Sequence, residues 1–355
     1  MSVRVGEWFY VWMPMAGTEI FWPGLVILGF GVGVIGGFFG IGGGWMATPG
    51  LNLLGLPMAF AIGTDLTHMA GKSIISTFRH ARFGNVDYRL GAAMVLGTVC
   101  GFEAGAQTVM WLERLGKVEL YVRLAYLVLL AAIARAILAD LRTRRRSSTP
   151  QRAFGPKSSV VLAKIREIEL PPILEFPQAG IRCSFWLPVA VGLLTGWLCG
   201  LLGIGGGLIR VPALIYLLGC PTHVAVGTDL FEVAISGLYG AATYTYKGRT
   251  ELVAALIMLV GASAGAQIGC VATKYVHGYR IRALLVVAVA GCAVSITLKL
   301  VGTVQPRGAQ LLQSVASVLI LALVAGLAAE ILRQFIRGVR QERATPVGQA
   351  ARGAR

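Results

Sequence analysis

Gly40-Ile41-Gly42-Gly43-Gly44, with Pro49 behind it, recurs as Gly203-Ile204-Gly205-Gly206-Gly207 with Pro212 behind it. Both the glycine runs and the prolines are 163 residues apart. Each glycine inside an apolar helix costs about 1 kcal/mol relative to alanine. In a lipid-like setting the run also frees N–H and C=O groups that only a protein-lined cavity or a ligand can satisfy. A costly feature present twice, in matching context, points to a duplicated binding site; the competing reading is that the glycines only let helices cross closely.

Composition sets the class. Of 355 residues, 56% are apolar and 14% charged, with 47 glycines, and the mean hydropathy is +0.72. Soluble domains average about 25% charged residues, so a polytopic membrane protein is expected. The net charge of +16 does not point to nucleic acid. The basic residues are dispersed among a central linker, the C-terminal tail and short loops, as the positive-inside rule anticipates. The six cysteines and four histidines show neither CxxC nor HExxH spacing, so no metal site is expected and the cysteines read as packing residues. No cofactor, catalytic residue or cleavable leader is read.

Along the chain, 1–21 is rich in Trp, Tyr and Met and reads as an interfacial segment. A helix opening at Pro23 runs to about 39, breaks at the first glycine run and resumes from 45 to 54. As one helix, 22–54 would be about 50 Å long, too long for a core of about 30 Å. Helices follow near 58–83, 89–111 and 120–141. Residues 142–182, opening on Arg142, Arg144, Arg145 and Arg146, form a basic linker expected on the cytoplasmic side, with a short strand considered near 160–170. The second half repeats the pattern: a broken helix over 186–218, then Gly227-Thr-Asp-Leu230 matching Gly63-Thr-Asp-Leu66 at an offset of 164. Gly265-Ala-Gln267 matches Gly105-Ala-Gln107 at 160. Helices near 251–273, 281–301 and 309–336 precede a basic tail. A cytoplasmic linker followed by five full crossings would put that tail outside, so either one second-half segment is re-entrant or the crossing count differs.

The fold expected is therefore an all-α polytopic membrane protein of two homologous repeats, about four transmembrane helices each, the first helix of each broken by glycines. The units are 1–21, 22–141, the linker 142–182, 183–301, an additional helix within 302–336, and the tail 337–355.

The binding candidates are Gly40, Gly42, Gly43 and Gly44, then Gly203, Gly205, Gly206 and Gly207, because half-helix N-termini carry partial positive charge suited to an anion. Asp65 and Asp229 occupy equivalent positions in apolar helices. An intramembrane carboxylate costs roughly 2.5 kcal/mol or more, which marks both as coupling candidates, although each could instead cap a helix beginning after Gly63 or Gly227. Lys72 shares a face with Asp65 and His68 and could attract an anion or form a structural ion pair. Arg210, where the first copy has Ala47, could grip an oxyanion bidentately or snorkel to the interface. Glu103 is a further proton candidate. His80, matched by Tyr244, reads as an interface anchor, and Gln107 and Gln267 as helix ties.

Taken together, the two GxxGIGGG-x4-P strings, the two GTDL strings and His80-Ala-Arg-Phe-Gly-Asn-Val-Asp87 resemble the sulfite exporter TauE/SafE family of membrane permeases. Tyr244 and Glu251 replace the histidine and aspartate in the second copy. The resemblance spans about 22–300. It implies an inner-membrane secondary transporter of sulfur-containing anions such as sulfite, thiosulfate or organosulfonates, whose partners are the lipid bilayer and a small anion. A passive anion channel and a membrane-embedded enzyme or assembly subunit are the alternatives. No P-loop is present, so ATP hydrolysis by this chain is not expected.

Overall fold

The computed structural model describes residues 7–39, 44–145, 170–272, 278–304 and 309–344. Outside the two hairpins and a 3-10 turn at Glu7–Phe9, the regular structure is helical. A hairpin β1 (Tyr10–Met13) and β2 (Thr18–Phe21) leads into α1 (Trp22–Phe39), then α2 (Gly44–Leu53), α3 (Met58–Arg82), α4 (Tyr88–Arg114) and α5 (Val118–Arg145). A second hairpin, β3 (Ile173–Phe176) and β4 (Ile181–Ser184), leads into α6 (Trp186–Leu202) and α7 (Gly207–Ala213). A π-helical turn, Leu214–Leu218, prolongs α7. Then come α8 (Thr222–Tyr246), α9 (Leu252–Ala272), α10 (Gly278–Val304) and α11 (Ala309–Ala344). Four described stretches are long and apolar enough to cross a membrane: Trp22–Phe39, His223–Tyr246, Leu252–Ala272 and Gln310–Arg340. Leu96, Val128, Leu194, Val260 and Val318 are exposed on outer helix faces, as lipid contact requires. This is an all-α polytopic membrane protein.

Small residues bring the helices together in pairs. A Cβ on Gly29, Gly33 or Gly37 of α1 would overlap the carbonyls of Met258, Ala262 or Ala266 on α9, and a Cβ on Gly261, Gly265 or Gly269 of α9 would overlap backbone of α1. The same zipper recurs between α6 and α4. There Gly192, Gly196 and Gly200 abut Met94, Thr98 and Phe102, and Gly97, Gly101 and Gly105 abut Val189, Leu193 and Trp197. Glycines four apart on one helix face allow backbones to touch, the favoured device where lipid supplies no hydrophobic drive between helices. Each glycine-broken helix thus lies against a helix from the other half of the chain.

These contacts correct the register read from sequence. Met258, Ala262 and Ala266 stand where Met94, Thr98 and Phe102 stand, an offset of 164. Gly105 therefore corresponds to Gly269, and Gln107 does not correspond to Gln267. The Gly-Ala-Gln string had drawn the match one helical turn away, because glycine recurs every four residues on these faces.

Both hairpins escaped the sequence reading, and β3–β4 straddles the end of the segment assigned to the linker. The hairpins match each other: Gly17 (φ 64°) donates its N–H to Met13 O at 2.8 Å, and Gly180 (φ 62°) to Phe176 O at 2.8 Å. The strand considered near 160–170 lies outside the described residues except for Leu170, which is irregular.

Candidate functional site

The first glycine run lies outside the described residues as far as Gly43; Gly44, which opens α2, is described and buried. At the second run Gly203, Gly205 and Gly206 all have φ near +70°, a conformation that only glycine adopts at no cost. The turn closes much of its own backbone. Gly203 N–H donates to Cys199 O at 2.7 Å, Gly207 N–H to Gly205 O at 2.9 Å, and Arg210 N–H to Gly206 O at 2.8 Å.

The second run and the resumed helix of the first meet. A Cβ on Gly44 would stand 3.1 Å from both Gly203 O and Asp65 Oδ2. The Thr48 hydroxyl, on α2, is 2.8 Å from Asp65 Oδ2 and 3.2 Å from Gly203 O. Met69 fills the remaining gap, with its thioether against both Gly44 and Gly205. Two tyrosine hydroxyls close the end of α6, Tyr126 on Leu202 O at 2.5 Å and Tyr244 on Gly200 O at 2.7 Å.

Two buried polar centres flank this junction. In the first, Asp65 is fully buried, and His68 Nδ1 lies 3.1 Å from its Oδ1. Asp65 sits two turns inside α3, whose N-cap is Pro57. Asp229 likewise lies inside α8, capped by Pro221. Neither carboxylate caps a helix, which removes that reading. In the second centre Arg210 is fully buried, which excludes snorkelling. Its Nη1 lies 3.1 Å from Asp229 Oδ1 and closer still to Glu232 Oε2, and its Nε donates to Thr195 Oγ1 at 3.2 Å.

From the first centre a polar stripe runs along α3. Asp65, His68, Lys72, Ser76 and Arg79 fall at i, i+3, i+7, i+11 and i+14, one face of the helix. The outer part of the stripe lines a cavity of about 130 Å³ between α3 and α9, walled by Lys72, Ser76, Arg79, His80, Ser263 and Gln267. Arg79 is exposed at its rim and Lys72 is buried. Fourteen residues of helix span about 21 Å, so the stripe leads from an exposed guanidinium to the glycine junction.

The other candidates lie elsewhere. Glu103 is partly exposed on α4, 2.9 Å from Lys247 Nζ, and Gln107 donates to it at 2.6 Å within the same helix. Tyr244, the counterpart of His80, is fully buried; its hydroxyl is spent on the α6 carbonyl, while His80 lies on the cavity wall.

The GTDL strings acquire individual roles. A Cβ on Gly63 or Gly227 would collide with Arg249 O or Asn85 O, the turns before α9 and α4. The next residue receives the start of that helix: Glu251 N–H donates to Thr64 Oγ1 at 3.0 Å and Asp87 N–H to Thr228 Oγ1 at 2.9 Å. Asp65 and Asp229 then point to the two polar centres. Asp87 and Glu251 in turn clasp the hairpins. Asp87 Oδ2 accepts from Gln178 and Ala179 N–H at 3.1 and 3.0 Å, and Glu251 Oε1 accepts from Met15 N–H at 3.1 Å.

The sequence model of the family described as Sulfite exporter TauE/SafE matches residues 25–296, covering both glycine runs, both GTDL strings and both zippers. The chain belongs to the sulfite exporter TauE/SafE family. Among its relatives is the probable membrane transporter protein YunE of Bacillus subtilis, 26% identical over 69% of this chain and 86% of its own length. A probable membrane transporter protein of Xylella fastidiosa is 27% identical over 74% of this chain and 90% of its own length. One from Methanocaldococcus jannaschii is 28% identical over 62% and 72%. No solved structure matches the chain. Membership of this TauE/SafE family makes the chain a multi-pass membrane transporter and not an enzyme.

Sequence reasoning missed Thr48, Thr195, Tyr126 and Met69. Hydroxyl and thioether side chains are unremarkable in apolar helices, and their partners lie on other segments of the chain, Arg210 for Thr195 and Asp65 and Gly203 O for Thr48.

Proposed function

We propose that this TauE/SafE protein is a secondary transporter that moves a small sulfur-containing anion, such as sulfite, thiosulfate or an organosulfonate, across the inner membrane, with proton coupling. The anion passes between two homologous repeats, 22–141 and 183–301, with the basic linker on the cytoplasmic side. The observation that carries this reading is the α3 stripe. It offers a positive rim at Arg79, hydroxyl and amide donors on the cavity wall, a buried ammonium at Lys72, and beyond these the junction where Gly44 meets the second glycine run. An oxyanion needs such a set: positive charge to draw it from water, then donors arranged around its oxygens.

In this reading Lys72 supplies the charge that meets the anion. The backbone of Gly44, Gly203, Gly205, Gly206 and Gly207 lines the midpoint of its path, and Gly40, Gly42 and Gly43, outside the described residues, are the remaining binding candidates of the first run. Arg210, the other buried cation expected to bind it, is engaged by two carboxylates and acts from beside the path. Asp65, Asp229 and Glu103 are the coupling candidates.

The test is uptake of radiolabelled sulfite, thiosulfate and isethionate into proteoliposomes under an imposed pH gradient. The reading expects accumulation of at least one that collapses with the gradient. Flux indifferent to the gradient would make the protein a channel, and no flux of any of the three would refute the substrate class. Transport unchanged by Lys72→Ala and Arg210→Ala together would overturn the charge assignment.

A further inference from the structure

Resting on the transporter reading above, we infer that Asp229 and Glu232 bind one proton between them against Arg210, and that this triad is the proton site of transport. Arg210, Asp229 and Glu232 are each 0% exposed. With all three ionised, the cluster would carry one uncompensated negative charge in a volume that water does not reach. Such a charge is strongly disfavoured unless something neutralises it.

Hydrogen bonding does not neutralise it. Arg210 Nη1 is shared by both carboxylates, and Ser236 Oγ adds a bond to Glu232 Oε2 at 3.3 Å. Among the described residues, Asp229 Oδ2 and Glu232 Oε1 have no hydrogen-bond partner, nor does Arg210 Nη2. Two carboxylates on one cation titrate as a pair, one of them holding a proton.

The other titratable groups on the packed elements do not supply the missing charge. On α6, Cys199 stands with the Arg210 guanidinium beside Gly206. On α3, Asp65 and His68 are bonded to each other, and Lys72 lies on the cavity wall. On α4, Glu103 is paired with Lys247, Glu113 with Arg249, and Asp87 with the second hairpin, while Tyr88, Arg89 and Arg114 are exposed. On α8 itself, His223 is exposed and Tyr239 donates to Glu103.

The equivalent position in the first half lacks this imbalance. Asp65 has donors on both oxygens, Thr48 on one and His68 on the other, and His68 stands where Glu232 stands at the offset of 164. Of these two centres, the second is the one that places two carboxylates together. Its position also gives the proton a reason to travel with the anion. Gly206 of the second run lies against the guanidinium, so an anion at that run would add negative charge beside the pair and tighten its hold on the proton. By linkage the proton would then tighten the hold on the anion equally.

The experiment has two arms, both on the purified full chain in lipid. Infrared difference spectroscopy at neutral pH should show the C=O stretch of a protonated carboxylic acid. Asp229→Asn and Glu232→Gln should each abolish it, because either substitution leaves one carboxylate against one guanidinium. No such band in the wild-type protein, or a band that persists in either variant, would overturn the shared proton. In the second arm, sulfite, thiosulfate and isethionate uptake is measured with and without a gradient of one pH unit. One proton per anion drives up to about tenfold accumulation per pH unit, and Asp229→Asn should bring that ratio to one; a ratio retained in the variant would overturn the transport role. If the wild-type protein moves none of these anions, the transporter reading fails in the second arm while the first still judges the proton site. A variant without flux is judged by the first arm alone.

Discussion

The backbone N–H of Asp87 donates to the hydroxyl of Thr228 at 2.9 Å, across 141 residues of chain. The bond from Glu251 to Thr64 repeats it at 3.0 Å. Each half of the chain thus starts one of its helices on a hydroxyl supplied by the other half, and the acidic side chain at that same position reaches out to hold the other half's hairpin. The halves are interlocked at two equivalent joints.

Thr228→Val leaves a buried N–H without its acceptor while keeping the side-chain shape. An unsatisfied buried donor costs about 1–3 kcal/mol. The expected result is a lower melting temperature in detergent for Thr228→Val and for Thr64→Val, with Thr228→Ser near wild type. Serine rescue separates loss of the bond from loss of packing. Valine variants that melt with the wild-type protein would show that these joints contribute little.

The zippers should tolerate no side chain at their centres. A Cβ on Gly33 or Gly196 would overlap the opposing carbonyl and Cα of Ala262 or Thr98, and two helix backbones must part to admit it. Gly33→Ala and Gly196→Ala should sharply reduce the yield of folded protein. Gly326, in α11, has nothing within 4 Å of an added Cβ. Gly326→Ala should be neutral or stabilise by up to about 1 kcal/mol through helix propensity. Size-exclusion profiles of the three variants in one detergent check the contrast, and equal behaviour of all three would refute it.

The helix order was legible in the sequence because apolar runs, Pro23 and the two glycine runs punctuate it; α1, α3 and α9 begin and end within two residues of their expected positions. The polar stripe on α3 was legible for the same reason: Asp65, His68 and Lys72 stand out on an apolar helix. What sequence could not show was which half donates to which. The bonds from Thr48 to Gly203 O, from Tyr126 to Leu202 O and from the second hairpin to Asp87 each depend on two halves brought together by zippers whose register glycine repetition disguised by one turn. The hairpins were missed because Tyr10–Met13 and Ile173–Phe176 are four residues long, too short for alternation to register.

Lys72 is the buried cation on the cavity wall, so its removal should act on anion affinity before anything else. Lys72→Met preserves the length of the stem and removes the charge. The expected outcome is a rise of about tenfold or more in the apparent KM for the transported anion, corresponding to about 1.4 kcal/mol or more of lost binding, with Lys72→Arg much nearer wild type. Initial rates against anion concentration in proteoliposomes check it. An unchanged KM with a lowered maximal rate would instead assign Lys72 to a later step than capture.

Arg210 gives the sharpest test of how the second centre is held together. Arg210→Met removes the one cation between Asp229 and Glu232, and breaking a buried ion pair from one side costs about 3–5 kcal/mol because the remaining charge has nowhere to go. The single variant should therefore be poorly folded. Adding Asp229→Asn and Glu232→Gln removes the stranded charges, and the triple variant should recover most of the melting temperature even though every ion pair is gone. Replacing a whole buried ionic cluster is often neutral for stability, so recovery would mean that the triad is retained for something other than folding. A single variant as stable as the wild-type protein would show that the two carboxylates already hold protons enough to dispense with the guanidinium. A triple variant no better than the single would show that Arg210 matters through its packing and its bond to Thr195, not through its charge.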